Sequence, residues 1–207
     1  MRKILWVIAV LFVTAVACKP KEKTGTLTLT SEPRTSTMSI SQVDSISIHD
    51  LVMDFYNWYN HNYERFMRYD LYEGIKKKDE PPYRLKWDEV KKYQAFIHDS
   101  VSQLGENFLK NQDVFFHKCD SAFKVDVNDD IPYYFDYDWY TNTQEDPSYL
   151  LDQLKNPALW VVHVNGDQGT VWIHAVDEKN QPTKDTLINL AVQRESGAWK
   201  IAKIGND

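Results

Sequence analysis

The C-terminal quarter of the chain alternates apolar, β-branched runs with turn residues, and this pattern constrains the fold more than any other stretch. Segments 159–164, 171–176, 186–193 and 199–204 read as strands. Asn165-Gly166 marks a tight hairpin, 177–183 a longer connection, and Glu195-Ser196-Gly197 the last turn. Connections this short join antiparallel neighbours, so the predicted unit is a meander.

The preceding half follows a different period. In SIHDLVMDFYNWYNHNYERF, residues 47–66, apolar side chains fall at Ile48, Leu51, Val52, Phe55, Trp58, Tyr59, Tyr63 and Phe66, the three-four spacing of a helix face. Ser47 and Asp50 have the spacing of a capping box, which sets the predicted start at 47. The helix is expected to end before Gly74, and KKKDEPP at 76–82 reads as a solvated connection. A second helical pattern carries Val90, Tyr93, Ile97, Val101, Leu104 and Phe108, with Gly105 inside it; one long helix or two short ones both fit. Residues 126–149, DVNDDIPYYFDYDWYTNTQEDPSY, alternate aromatics and carboxylates without either period, and Asp146-Pro147 then opens a short helix through Leu154.

Helices first, an irregular middle, then a meander is the plan of the nuclear transport factor 2-like fold. The ending LINLAVQRESGAWKIAKIGND resembles the closing hairpin of that superfamily, and DFYNWYNHNY with DYDWYTNTQED resembles a family of bacterial lipoproteins of unknown function. The resemblance covers residues 48–207 and implies an α+β domain, N-terminal helices packed on a curved antiparallel C-terminal sheet in a cone-shaped arrangement. It does not choose a function, because that superfamily hosts enzymes, binding subunits and scaffolds.

The N-terminus bears on location. Arg2 and Lys3 precede an apolar run too short to span a bilayer, as in a secretory signal. Ala15-Val16-Ala17-Cys18 resembles the lipobox of bacterial lipoproteins, which implies cleavage before Cys18 and acylation of its thiol. Each buried methylene of an acyl chain contributes about 0.8 kcal/mol, so two chains anchor a protein stably. The expected organisation is a signal peptide at 1–17, lipidated Cys18 with a Ser- and Thr-rich tether through 46, and one domain from 47 to 207. That leaves Cys119 as a lone thiol, read as a structural cysteine.

Composition excludes some classes. Without Arg2 and Lys3 the chain has 22 basic against 30 acidic residues, a balance that repels nucleic acid. It lacks a glycine-rich phosphate loop, paired CxxC and HExxH, and no cofactor is expected. Asp126, Asn128 and Asp130 match the first ligands of a calcium loop, but Ile131 stands where the turn needs Gly and Tyr137 where a bidentate Glu closes the site, so no metal ligands are assigned. A different calcium geometry through Asp136 and Asp138 stays open.

Two site readings remain. Tyr133, Tyr134, Tyr137, Trp139 and Tyr140 beside carboxylates suit sugar recognition, and equally suit packing over the sheet. A catalytic base inside the cone would come from His163 or His174 on the strands or from Asp54, with Tyr56 and Tyr59 beside it on the first helix. The candidate ligand-binding set is Asp54, Tyr59, Tyr137, Trp139, His163 and His174. The expectation is a lipid-anchored protein of the bacterial cell envelope, periplasmic or surface-exposed, that binds a small ligand or an envelope protein without catalysis. The alternative is a small hydrolase or isomerase with an Asp or His site inside the cone.

Overall fold

The computed structural model describes residues 40–77, 80–127 and 131–205. The expected signal peptide, Cys18 and most of the expected tether lie outside the described residues, as do Asn128 and Asp130. The described residues form an α+β domain in the order α1 (Ile40–Phe66), β1 (Tyr72–Gly74), β2 (Tyr83–Leu85), α2 (Trp87–Ser100), α3 (Glu106–Phe123), α4 (Pro147–Leu154), β3 (Trp160–Asn165), β4 (Gln168–Val176), β5 (Pro182–Glu195) and β6 (Ala198–Ile204). A 3-10 turn at Pro157–Leu159 leads into β3. None of the described helices is long and apolar enough to cross a membrane.

Helix α1 starts at Ile40, ahead of the expected start at 47, so residues 40–46 are helical rather than tether. Tertiary contacts explain the extension. Asp44, only 9% exposed, accepts hydrogen bonds from Arg194 Nη2 and from Trp199 Nε1 at 3.2 Å, tying the first turns of α1 to the far end of the sheet. Ser47 is no cap: its hydroxyl donates to the Val43 carbonyl at 2.9 Å, the back-bond of a mid-helix serine. The buried face runs through Ile48, Val52, Phe55, Tyr56, Tyr59 and Phe66, as the apolar spacing predicts apart from Tyr56.

Gly105 separates α2 from α3, settling the choice in favour of two helices. A Cβ there would lie 2.4 Å from a carboxylate oxygen of Glu195, which is what the position excludes. Glu195 accepts from the amides of Glu106 at 2.9 Å and Asn107 at 3.2 Å, supplying across space the cap that Gly105 lacks. At α4 the cap is local, as predicted, with Asp146 accepting from the Ser148 amide at 2.9 Å.

The four strands β3 to β6 form an antiparallel meander in sequence order that does not close into a barrel. Its first hairpin pairs Asn165 with Gln168, so Gly166 and Asp167 make the turn, with Gly166 at φ +59°. Ser196 and Gly197, both at positive φ, make the last one. Bulges interrupt the register near His174 and between Ala191 and Val192. Val171, Ile173, Ile188, Leu190, Val192 and Ile201 are buried on one face, toward the helices. The outer edge of β6 is covered by 103–105, where the Gly105 amide donates to the Ile201 carbonyl at 3.0 Å and the Ile201 amide to Gln103 at 2.9 Å. The described residues of the connection expected at 76–82 carry no helix or strand, and the connection is flanked by the short antiparallel hairpin β1–β2, which the sequence reading did not include. Cys119 is fully buried on α3, consistent with a structural role.

Candidate functional site

The interior between helices and sheet is packed with rings. Phe55, Tyr56, Tyr59, Phe66, Tyr93, Phe108, Phe116 and Tyr140 are all buried, and Tyr140 lies within 4.9 Å of Tyr59 and 5.0 Å of Phe66 between ring centroids. Such clusters add edge-to-face and stacking energy to their burial. The hydroxyls of these tyrosines need partners, and the partners converge on the loop at 131–146. Tyr56 donates to the Tyr140 carbonyl at 2.7 Å, Tyr93 and Tyr140 share a hydrogen bond at 2.8 Å, and Gln112 Nε2 donates to the Tyr140 hydroxyl at 3.1 Å.

Asp138 is the charged member of this network. Its Oδ2 accepts from the Tyr59 hydroxyl at 2.9 Å and its Oδ1 from the Tyr140 amide at 2.8 Å. Burial raises its carboxyl above the ordinary carboxylate range; those two donors work against the rise. Thr141 also favours the charge, although its hydroxyl stands outside hydrogen-bonding geometry. The same burial, reinforced by the negative Asp138, pushes the Tyr59 hydroxyl far above its usual range, so it stays a proton donor. Backbone bonds hold the loop closed: the Asp138 amide donates to Thr143 at 2.9 Å and the Asn142 amide to Asp138 at 2.7 Å. Tyr134 and Asn142 bracket this stretch at φ +72° and +55°. A bulky residue in the left-handed region costs on the order of 1–3 kcal/mol, and such strain gathers at ligand sites. The Trp139 indole donates to the Tyr134 carbonyl at 2.6 Å and keeps the strained turn in place.

Above Asp138 lies a cleft of roughly 560 Å³ between the end of α1, the start of β1 and this loop. Tyr63, Phe66, Tyr69, Tyr72, Phe135 and Tyr137 supply aromatic walls. Asp70, Asp136, Asp138 and Glu145 line it as well, and among the described residues no Lys or Arg does. Asp70 is paired with Lys86 at 2.6 Å, whereas Asp136, Asp138 and Glu145 have no basic partner among the described residues. A half-buried carboxylate held only by neutral donors at the floor of an aromatic cleft is a site for positive charge or for proton transfer.

The sequence-derived candidates divide. Tyr59, Tyr137 and Trp139 meet in this cleft. Asp54 is exposed on the opposite side of α1 and does not face the interior, because the buried stripe passes through Phe55 and Tyr59. His163 pairs with Thr170 and is exposed on the sheet face opposite Val162 and Val171, where its ring meets Trp172 at 5.3 Å and where Asn107 and Asn111 of α3 line the same recess. His174 alternates with buried Val171 and Ile173 onto that same face; its Nδ1 is buried without a hydrogen-bond partner. Neither histidine approaches Asp138. Asp126 turns inward on its own loop, accepting from the Tyr133 amide at 2.6 Å. Asp138, Tyr63 and Tyr69 are the site residues that sequence reasoning did not single out for the interior. The signal was the D-x-D-x-Y spacing from Asp136 to Tyr140, which places successive acids beside rings, but nothing in it shows which acid turns inward. No family model, curated protein or solved structure matches the chain.

Proposed function

We propose that the chain is a membrane-anchored envelope lipoprotein whose domain binds a small organic cation in the cleft above Asp138, without turning it over. One observation carries the reading: a cleft walled by aromatic rings holds four carboxylates and, among the described residues, no basic one, so a charged amine with an apolar body satisfies both its surfaces. The anchor is supported by the lipobox-like Ala15-Val16-Ala17-Cys18 alone. The cone-shaped, nuclear transport factor 2-like arrangement belongs to the same reading, supported by helices laid on one face of a four-stranded meander.

The test is calorimetric titration of the full chain with tetramethylammonium and longer alkylamines, with glucose as the neutral probe. Saturable amine binding that weakens at least about tenfold in Asp138→Asn supports the reading, since a desolvated cation–carboxylate pair contributes about 1.4 kcal/mol or more. Binding of glucose alone would reassign the cleft to sugars, and an envelope protein captured there would replace the small ligand. For the anchor, the mass of the mature chain should include acyl groups that vanish in Cys18→Ser.

A second reading rests on the raised carboxyl of Asp138 with the Tyr59 hydroxyl against it: a half-buried acid poised to give or take a proton, as a hydrolase or isomerase requires. Turnover abolished by Asp138→Asn, with binding retained, selects it over simple capture.

A further inference from the structure

On the other side of Tyr140 from the cleft lies a smaller recess of about 70 Å³, built by α3, the loop and the end of β6. Phe108, Phe115, Trp139 and Tyr140 wall it with rings. Gln112 reaches into it from α3. Gln112 is only 7% exposed, and its Nε2 is used on the Tyr140 hydroxyl, while its Oε1 is buried with no hydrogen-bond partner. A buried amide acceptor left unpaired on a side chain that lines a recess is unusual, because native structures pair nearly all such atoms. The group that pairs with it must bring a donor into the recess. Its charge is constrained too: the recess is lined by Lys203 and, among the described residues, by no Asp or Glu, the opposite of the cleft, so a cationic donor is disfavoured. Its size is set by volume, since an apolar cavity of about 150 Å³ takes a benzene ring and this one takes a smaller group.

We propose that this recess is a second ligand site, taking the neutral hydroxyl end of a small apolar molecule, a phenol or a short alcohol, with the hydroxyl donating to Gln112 Oε1. The rest of the molecule lies along the aromatic walls toward solvent. The site is independent of the cation reading, because its donor, charge and residues differ; Tyr137, Trp139 and Tyr140 serve only as the partition between the two.

The experiment titrates phenol into the isotopically labelled full chain and follows the side-chain amide of Gln112 and the indole N–H of Trp139, with toluene as the probe of equal shape lacking the donor. The expected result is a saturable shift of both signals with one dissociation constant, and phenol binding at least about tenfold tighter than toluene, the ratio of one neutral hydrogen bond. Gln112→Met, which keeps the volume and removes the acceptor, should bring phenol down to the level of toluene. If that variant does not fold, the phenol-to-toluene ratio on the unaltered chain still decides. Equal affinity for the two, no saturable shift, or competition between phenol and tetramethylammonium would each overturn the proposal. So would a phenol-soaked crystal holding only water at Gln112.

Discussion

The Tyr59 hydroxyl donates to Asp138 Oδ2 at 2.9 Å, joining the middle of α1 to a loop 79 positions later. Both groups are withdrawn from water, so each depends on the other: the carboxylate needs a donor and the hydroxyl an acceptor. The floor of the cleft is made by this pair.

Tyr59→Phe should therefore cost about 1.5–3 kcal/mol, the range for a hydrogen bond to a charged group, while the ring contacts with Phe55 and Tyr140 persist. Because Tyr59 is one of the donors holding the Asp138 carboxyl down, its loss should also raise that group further. Urea unfolding measures the first effect, and a carbon-13 titration of the Asp138 carboxyl measures the second. An unchanged carboxyl titration would mean that the bond does not stabilise the charge.

The pH dependence follows from the direction of the Asp138 shift. Its folded-state value is raised above the unfolded one, so the folded chain binds the proton more tightly, and this group's contribution to stability is lost as pH rises through the folded value. A cation prefers the charged form, so the opposite sign holds for binding. Affinity for tetramethylammonium should rise with pH through a midpoint above the ordinary Asp range and then level off. Asp138→Asn should flatten that profile; a flat profile in the unaltered protein would remove Asp138 from the site.

Asp44→Ala should destabilise the domain by about 2 kcal/mol. The substitution strands the Trp199 indole N–H and leaves the Arg194 guanidinium, stacked on that indole at 4.5 Å, without its main carboxylate. The cost is held to that size because Arg194 is partly solvated and Asp167 stands within 3.4 Å. Hydrogen exchange should show the first turns of α1 opening before the rest of the helix. Uniform loss of protection along α1 would count against a local anchor.

Glu195→Ala removes the carboxylate bonded to the first two amides of α3 and should cost about 1 kcal/mol. In that background Gly105→Ala should be better tolerated than in the original chain, since the new Cβ meets the Glu195 carboxylate. A double-mutant cycle on thermal unfolding measures this coupling, and additive costs would show that the close approach carries no energy.

Local periodicity was enough to read the meander, the buried face of α1 and the Asp146 cap of α4, because each depends on residues only a few positions apart. The limits of that reading are just as specific. Residues 40–46 have too little apolar period to announce a helix; they are held by Arg194 and Trp199, far along the chain. Ser47 and Asp50 had the spacing of a cap, yet spacing cannot distinguish a cap from a mid-helix serine bonded back to Val43. Asp54 and Asp138 are both acids among aromatics in the sequence. Only the packing of Phe55 and Tyr59 into the core turned the first outward, and only the closed loop from Asp138 to Thr143 turned the second in. His163 and His174 were legible as residues of adjacent strands, but which face they take follows from the register, and the register is set by the turn at Gly166 and the bulges of β4 and β5. The sequence alone thus determined which elements form, since those are short-range properties of the chain. The site was decided by tertiary structure, because a cleft whose acids, rings and missing bases come from four separate segments exists only once they are packed together.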